Sequence, residues 1–584
     1  MKKLRLIKSS FVMAGFLAFF FALLITRDIV DLPYIDFTVW LPDELPPLSN
    51  FFWKEQIKGF LLFHIAVFLS YFLPTLFVSL IFYFYFYEDK NETIQRGQGR
   101  VSAKALRKAI KRVVMKDYRL ELFKEKIPLP YNEENRSFLF LGKAGAGKTQ
   151  AIYDFLIGNK KKKGFKDFNQ TMIIYERKGD DFISKLYRDE IDFLFDPRDT
   201  RGIKWNIFTD LFNEEGEIEE AMVDFYAKAF QPISDSKNNH FEKQAQAIIK
   251  AIFIKISHKD KPNNKMLIDF LLNHSDLKSL KGALICDSNV KKFGLVGAVE
   301  NALTTDSEGN ANNQGMSVMA TLNHTFRSIA RREFYNEEGD FSIRYFFETI
   351  DVNPDRRIFI VNTPETAGAF GAYFSLMFML IFKFGKTMKN DNNRRVLLMI
   401  DELQSLGSDG NFLLGRSIIE ELINFLAESR SKGFVSVAAT QSLPQLEKLI
   451  ERQGMRSLFQ LLSTKIILQY DEPDGAKFIT EFFSENEILK HKETKSQAWS
   501  FTQDRTSFSE DEKLKKVVLP VELSTLKPLE AFVKIGNYPV SKVSVEYQAP
   551  KDICEALIRR EIEYFEMEKL KEENVLGGVG MIEI

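Results

Sequence analysis

Apolar and polar positions change their spacing along the chain, and each change predicts a different kind of element. Residues 9–26 form an uncharged run with five phenylalanines, and residues 59–87 form another with no acidic or basic side chain except His64. As a helix the first rises about 27 Å, close to the ~30 Å hydrocarbon core of a bilayer. The second is longer than one crossing needs and holds Pro74, which predicts tilt or extension past the bilayer. Tyr83, Tyr85 and Tyr87 at its end suit a membrane–water interface. From about residue 132 the apolar runs shorten to strand length: 137–141, 171–175, 191–195, 357–361, 394–402, 434–439, 464–469 and 531–535. Between 205 and 345 helical spacing dominates, as in Ala245, Ile248, Ile249, Ile252 and Phe253, with Asn, Asp and Gly clusters such as 306–314 between helices. Residues 553–573 read as a charged amphipathic helix. The pattern predicts an α/β domain interrupted by a mainly helical one, whose polar faces suit either DNA or protein contact or plain packing.

Charge orients the two spans. Residues 27–58 hold six acidic and three basic residues, whereas residues 90–119 hold ten basic and two acidic ones. Lys2, Lys3, Arg5 and Lys8 precede the first span. An excess of Lys and Arg marks the cytoplasmic side, so both termini are expected in the cytoplasm, with a small external loop. The basic stretch has two readings, a topology signal resting on anionic lipid and a nucleic-acid contact. The run 160–163 reads as a solvated loop. Across the 584 residues, 80 Lys and Arg balance 80 Asp and Glu, so a polyanion must meet a local patch. Cys286 and Cys554 lie far apart, which fits a reducing compartment and excludes a disulfide framework.

The chemistry concentrates after the first α/β run. Gly142-Lys143-Ala144-Gly145-Ala146-Gly147-Lys148-Thr149 matches G-x-x-x-x-G-K-[ST] in full, between a predicted strand and a helix placing Ile152, Phe155 and Leu156 on one side. Glycines let such a loop turn its N–H groups towards phosphates, and the helix N-terminus adds a favourable dipole. Lys148 is expected at the β- and γ-phosphates of ATP and the Thr149 hydroxyl on Mg²⁺. The run 394–402 is apolar and ends in Asp401-Glu402. Asp401 is expected in the Mg²⁺ shell, and Glu402 at the attacking water. Thr440-Gln441-Ser442 ends another run; Gln441 reads as a γ-phosphate sensor or a strand-end cap. Arg430 reads as a trans-acting arginine or as a residue in an ion pair.

This order of parts resembles one family, the type IV secretion coupling proteins of the TraD and TrwB group, from the two spans to about Pro550. Residues 97–111, with Val101-Ser102-Ala103-Lys104, resemble the segment after the second span in TraD-like members. Glu176-Arg177-Lys178-Gly179-Asp180 resembles the family's Asp-x-Lys-Gly strand end, with Glu where Asp is usual. Asp196-Pro197-Arg198 and Trp205-Asn206 resemble the entry to its all-α domain. The runs 426–433 and 441–446 resemble its third motif. The resemblance implies a RecA-like P-loop motor domain with an inserted all-α domain, assembled as a membrane-anchored homohexamer in the bacterial inner membrane. It further implies a DNA-stimulated ATPase using ATP and Mg²⁺, with DNA of little sequence preference, relaxosome proteins and secretion-channel components as partners. The departure is the C-terminus, where about 34 residues follow Pro550 in place of a long acidic tail.

The expected division is a membrane anchor at 1–90, a basic juxtamembrane linker at 91–130 and a nucleotide-binding domain at 131–205 and 346–550. The all-α insertion occupies 206–345 and a helical tail 551–584. Two other functions fit parts of the pattern: a chromosome translocase of the FtsK/HerA kind, and a docking receptor for secreted effector proteins. The first calls for a C-terminal DNA-reading winged helix, which the pattern after Pro520 does not show.

Overall fold

The computed structural model describes residues 99–560 with breaks at 235–238, 307–310, 337, 340, 408–411, 484 and 497–504, together with 68–69 and 92–97. The predicted spans lie outside the described residues, apart from Phe68 and Leu69, which are helical. The chain divides into two units. The smaller takes residues 1–93 and 488–513, and most of a three-stranded sheet of Glu92–Arg96, Glu485–Ser496 and Arg505–Lys516 falls there. The larger takes 94–487 and 514–584 and holds everything that follows.

The larger unit is built on a 10-stranded sheet. In chain order its strands are β1 (Val101–Ser102), β2 (Phe138–Leu141), β3 (Met172–Glu176), β4 (Phe193–Phe195), β5 (Arg357–Val361), β6 (Val396–Ile400), β7 (Phe434–Thr440), β8 (Thr464–Ile467), β9 (Glu530–Lys534) and β10 (Ser541–Ser544). Across the sheet they run β1-β10-β9-β8-β2-β7-β6-β3-β5-β4. From β8 to β4 every neighbouring pair is parallel, while β9 is antiparallel to β8 and β10. Strands covered on both faces need apolar side chains on both, which is why these segments are continuous apolar runs rather than alternating ones. Leu139 and Leu141 of β2 enter one core, and Phe138 and Phe140 enter the other.

One face carries helix α2 (Lys148–Leu156), whose Ile152, Phe155 and Leu156 are buried as the spacing predicts. The other face shares its core with the helical segment, including α3 (Glu220–Phe230), α4 (His240–Ser257) and α5 (Asn313–Ile329). That segment has no strand among its described residues and stays in the same unit as the sheet. Between them lies α6 (Pro364–Thr387), long and apolar enough to cross a membrane, yet 83% of its apolar window is buried inside the protein. Length and composition alone do not separate a core helix from a span.

Three expectations change. The segment 101–130 is not a linker. Ser102 caps α1 (Ala103–Val114) by accepting from the Ala105 N–H, and Leu106 and Ile110 are fully buried. A hairpin of Tyr118–Leu122 and Ile127–Pro130 follows. The run 160–163 is not simply solvated. The Lys162 ammonium is buried against the Asp154 carboxylate on α2 and donates to the Phe123 carbonyl at 3.0 Å. Asp154 also accepts from the Phe123 N–H at 2.6 Å and from Gln548 at 3.0 Å. A lysine in a basic run is buried here because a buried carboxylate needs a counter-charge. Finally, the expected tail helix is absent from residues 551–560, and the rest of it lies outside the described residues. Its backbone is engaged elsewhere: Ile553 N–H donates to the Ser184 carbonyl at 2.7 Å, and Thr200 N–H to the Ile558 carbonyl at 3.0 Å.

Candidate nucleotide site

Parallel strands deliver their C-terminal ends to one edge of the sheet, where open α/β folds bind ligands. Leu141 pairs with Thr440 and with Ile467, and Ile400 pairs with Ala438 and with Tyr175. The segments that leave these positions are the 142–149 loop, Asp401-Glu402, Thr440-Gln441 and Arg177-Lys178. Residues hundreds of positions apart meet there because the strand register is shared.

The loop is shaped by its glycines and by what packs on it. Gly147 has φ +98° and caps α2; a Cβ there would meet Leu529 Cδ2 at 2.6 Å. Leu529 N–H donates to the Ala146 carbonyl at 3.0 Å, so the stretch before β9 braces the loop. Lys143 N–H donates to the Gln469 carbonyl at 2.9 Å, and its ammonium pairs with Asp471 at 2.7 Å. Ala144 and Gly145 are exposed, Gly142 and Ala146 are buried, and Thr149 is half-buried on the first turn of α2.

Lys148 is buried, with its ammonium 3.4 Å from Asp401 Oδ1. Lys148 Nζ and Asp401 Oδ1 are both shielded from solvent without a hydrogen-bond partner among the described residues. Two buried opposite charges short of partners form a place where an anion with its cation completes the hydrogen bonding. Asp401 N–H donates to the Tyr175 carbonyl at 3.0 Å, and the Tyr175 hydroxyl lies 2.9 Å from Ser405 Oγ. Glu402 has φ +58°, a conformation uncommon outside glycine and a frequent mark of functional positions. Gln441 Nε2 donates to Glu402 Oε1.

The expected site residues therefore fall into two groups. Lys148, Asp401, Glu402 and Gln441 come together with the 142–149 loop. Arg430 does not join them. It is exposed in the 3₁₀ turn Ser429–Lys432 that precedes β7, at the opposite end of the sheet from Thr440. Its charge is felt by Glu133, whose carboxyl is raised by burial and pulled back by Arg136 and Arg430.

The fold also brings residues that motif spacing does not single out. Gln404 accepts from the Thr440 hydroxyl at 2.8 Å, joining the ends of β6 and β7. Arg177 lines a cleft of about 390 Å³ with Glu402, Gln404 and Gln445. Glu176, in the run quoted above, is fully buried and accepts from the Phe182 N–H at 2.8 Å. Burial pushes its carboxyl up to about 8; the Phe182 N–H opposes this, and the Asp181 and Asp401 charges add to it. Its longer side chain reaches Phe182 from a strand end, a placement visible only in three dimensions.

The chain is similar to known proteins in sequence and in fold. The chain is 23% identical to Coupling protein TraD of Escherichia coli (strain K12) over 447 residues, 75% of this chain and 56% of that protein. It thus spans about half the length of that relative. Among solved structures it matches the bacterial conjugative coupling protein TrwBdeltaN70 in its unbound monoclinic form. That match has TM-score 0.62 at 19% identity and covers 80% of this chain and 96% of that one. It also matches the plasmid coupling protein TrwB in complex with ADP and Mg²⁺, with TM-score 0.59 at 20% identity and coverage of 80% and 98%. At these identities the structural likeness shows the fold. The model of the type IV secretion-system coupling protein DNA-binding domain matches residues 122–546. With that much of its length matched, the chain belongs to the family of type IV secretion-system coupling proteins.

Proposed function

We propose that the protein is an inner-membrane ATPase that couples ATP hydrolysis to delivery of DNA, with its bound relaxase, into a type IV secretion channel. The observation carrying this reading is the meeting of Lys148, Asp401, Glu402 and Gln441 beside a phosphate-type loop, in a chain of the coupling-protein family. The loop N–H groups and Lys148 hold the phosphates. Thr149 and Asp401 hold Mg²⁺, which supplies charge neutralisation at the phosphate oxygens. The unpartnered Asp401 Oδ1 fits that task. Glu402 accepts the proton of the attacking water, and Gln441 holds the Glu402 carboxylate in position. Residues 101–205, 346–487 and 514–550 serve as the motor, 206–345 as the inserted all-α domain, and the two N-terminal spans anchor a homohexamer.

DNA stimulation tests the reading. The purified full chain is expected to hydrolyse ATP faster when single- or double-stranded DNA is added. Turnover indifferent to DNA favours the effector-receptor alternative. A soluble fragment for this assay should begin near residue 99, because β1 pairs with β10 and α1 fills the core.

Arg430 is proposed to act on the nucleotide of a neighbouring subunit. It makes no ion pair among the described residues and sits away from its own Lys148, while a guanidinium supplied in trans stabilises γ-phosphate charge. Arg430→Ala and Lys148→Ala proteins should each be inactive alone. Mixed, they should partly recover, since some interfaces join an intact Arg430 to an intact Lys148. Mixtures that co-assemble and stay inactive would place Arg430 in a structural role instead.

A further inference from the structure

Outside the nucleotide site the chain holds a groove of about 320 Å³ between α5, the start of α6 and the start of helix α7 (Phe412–Glu428). Its two sides differ. One presents His324 and Arg327, one turn apart on α5, and Arg331, which lies just past the end of that helix in an extended conformation. The other presents Phe412, a ring 43% exposed. Among the described residues, none that line the groove is acidic. The bias extends along the sequence: residues 311–332 contain no Asp or Glu but three arginines and one histidine, in a chain whose acids and bases balance. Arg331 is held in place, with Nε donating to the Ala369 carbonyl at 3.1 Å. His324 and Arg327 are exposed.

Phe412 has a second neighbourhood. It also lines the cleft that holds Glu402, Gln404 and Arg177. One exposed aromatic residue therefore borders both a basic groove and the cleft of the proposed water-activating carboxylate.

We infer that this groove binds a single strand of DNA, with phosphates against Arg327, Arg331 and His324 and one base stacked on the Phe412 ring. The inference rests on the DNA-motor reading above and adds where the strand lies. The chemistry selects this occupant. Guanidinium groups with no carboxylate among the described lining residues favour a polyanion, and an exposed aromatic face beside them suits an unpaired base. A duplex hides its base faces, and the acidic side chains of a peptide carry no ring to stack. A strand in the groove touches a residue that borders the Glu402 cleft, which is a physical route from DNA occupancy to ATP turnover.

Binding of fluorescein-labelled oligothymidylate to the full chain in detergent, read by anisotropy over a salt series, tests this. Phe412→Ala should weaken binding about five- to a hundredfold, the range of one lost base stack. Arg327→Glu should weaken it about tenfold and lower the log–log salt slope by ~0.7, one phosphate contact. Phe412→Trp and Arg327→Lys keep the ring and the charge and should bind like the parent. Lys292→Glu, an exposed lysine on another helix, should also bind like the parent. The assignment is overturned if Phe412→Ala and Arg327→Glu bind like a parent that does bind the strand, or if Lys292→Glu loses as much as Arg327→Glu. It is equally overturned if Phe412→Trp and Arg327→Lys fail to hold parental affinity, or if duplex DNA or polyglutamate displaces the strand at equal concentration. A parent chain that neither binds DNA nor is stimulated by it removes the motor reading itself, and the groove assignment with it.

Discussion

Lys148→Ala is expected to lower ATP turnover by about a hundred- to a thousandfold, the loss that follows removal of one preorganised charge contact to a reacting group. The structure adds a second consequence. Lys148 pairs with Asp401 Oδ1 at 3.4 Å, and both groups are buried. Taking the ammonium away leaves a buried carboxylate without its counter-charge, which is costly in a low-dielectric setting. The variant also lacks the lysine contact to the phosphates, so it should bind ATP weakly as well as turn it over slowly. Both of its losses come from one removed cation. Phosphate release and binding of a fluorescent ATP analogue measure the two effects, and recovery of the variant in the membrane fraction shows that it still folds and inserts. Near-parental turnover in a folded Lys148→Ala protein would sink the assignment of the 142–149 loop.

Glu402→Gln should separate binding from hydrolysis. The amide keeps the size of the carboxylate and can still bond Gln441, provided the two amides present oxygen to nitrogen. It cannot accept a proton from water. Turnover is expected to fall about a hundred- to ten-thousandfold, the usual worth of a positioned general base, while affinity for ATP stays near that of the parent. The left-handed backbone at Glu402 sharpens the test, because Gln and Glu tolerate φ +58° about equally and the strain does not change. A single-turnover assay with pre-bound ATP reads the chemical step directly. Loss of ATP binding would show that Glu402 shapes the site rather than working in the reaction. Hydrolysis at the parental rate would move the base to another residue of the same cleft.

Much of the molecule is legible from short stretches of sequence, because the forces that set those stretches are local. Buried parallel strands require apolar side chains on both faces, so 357–361 and 434–439 announce themselves as continuous runs, and the structure places Arg357–Val361 and Phe434–Thr440 there. The loop at 142–149 is marked by glycines that its backbone requires, and Gly147 at φ +98° is such a position. Asp401-Glu402 stands out because acids end an apolar run. Other features depend on partners far away in sequence. Lys162 is buried because Asp154, on the helix behind the phosphate loop, needs its charge. The periodicity of residues 553–560 suggests a helix, yet their N–H and carbonyl groups are bonded to Ser184 and to the 198–200 loop instead. The apolar composition of α6 fits a bilayer as well as a core, and only the packing of the sheet and helices around it selects the core. The Lys148–Asp401 and Gln441–Glu402 contacts join segments about 250 and 39 residues apart through the register of neighbouring strands. Periodicity, glycine and charge are properties of a residue and its neighbours in sequence, so the elements were legible there. Which buried charge meets which depends on the order of strands across the sheet, and no short stretch of the chain encodes that order.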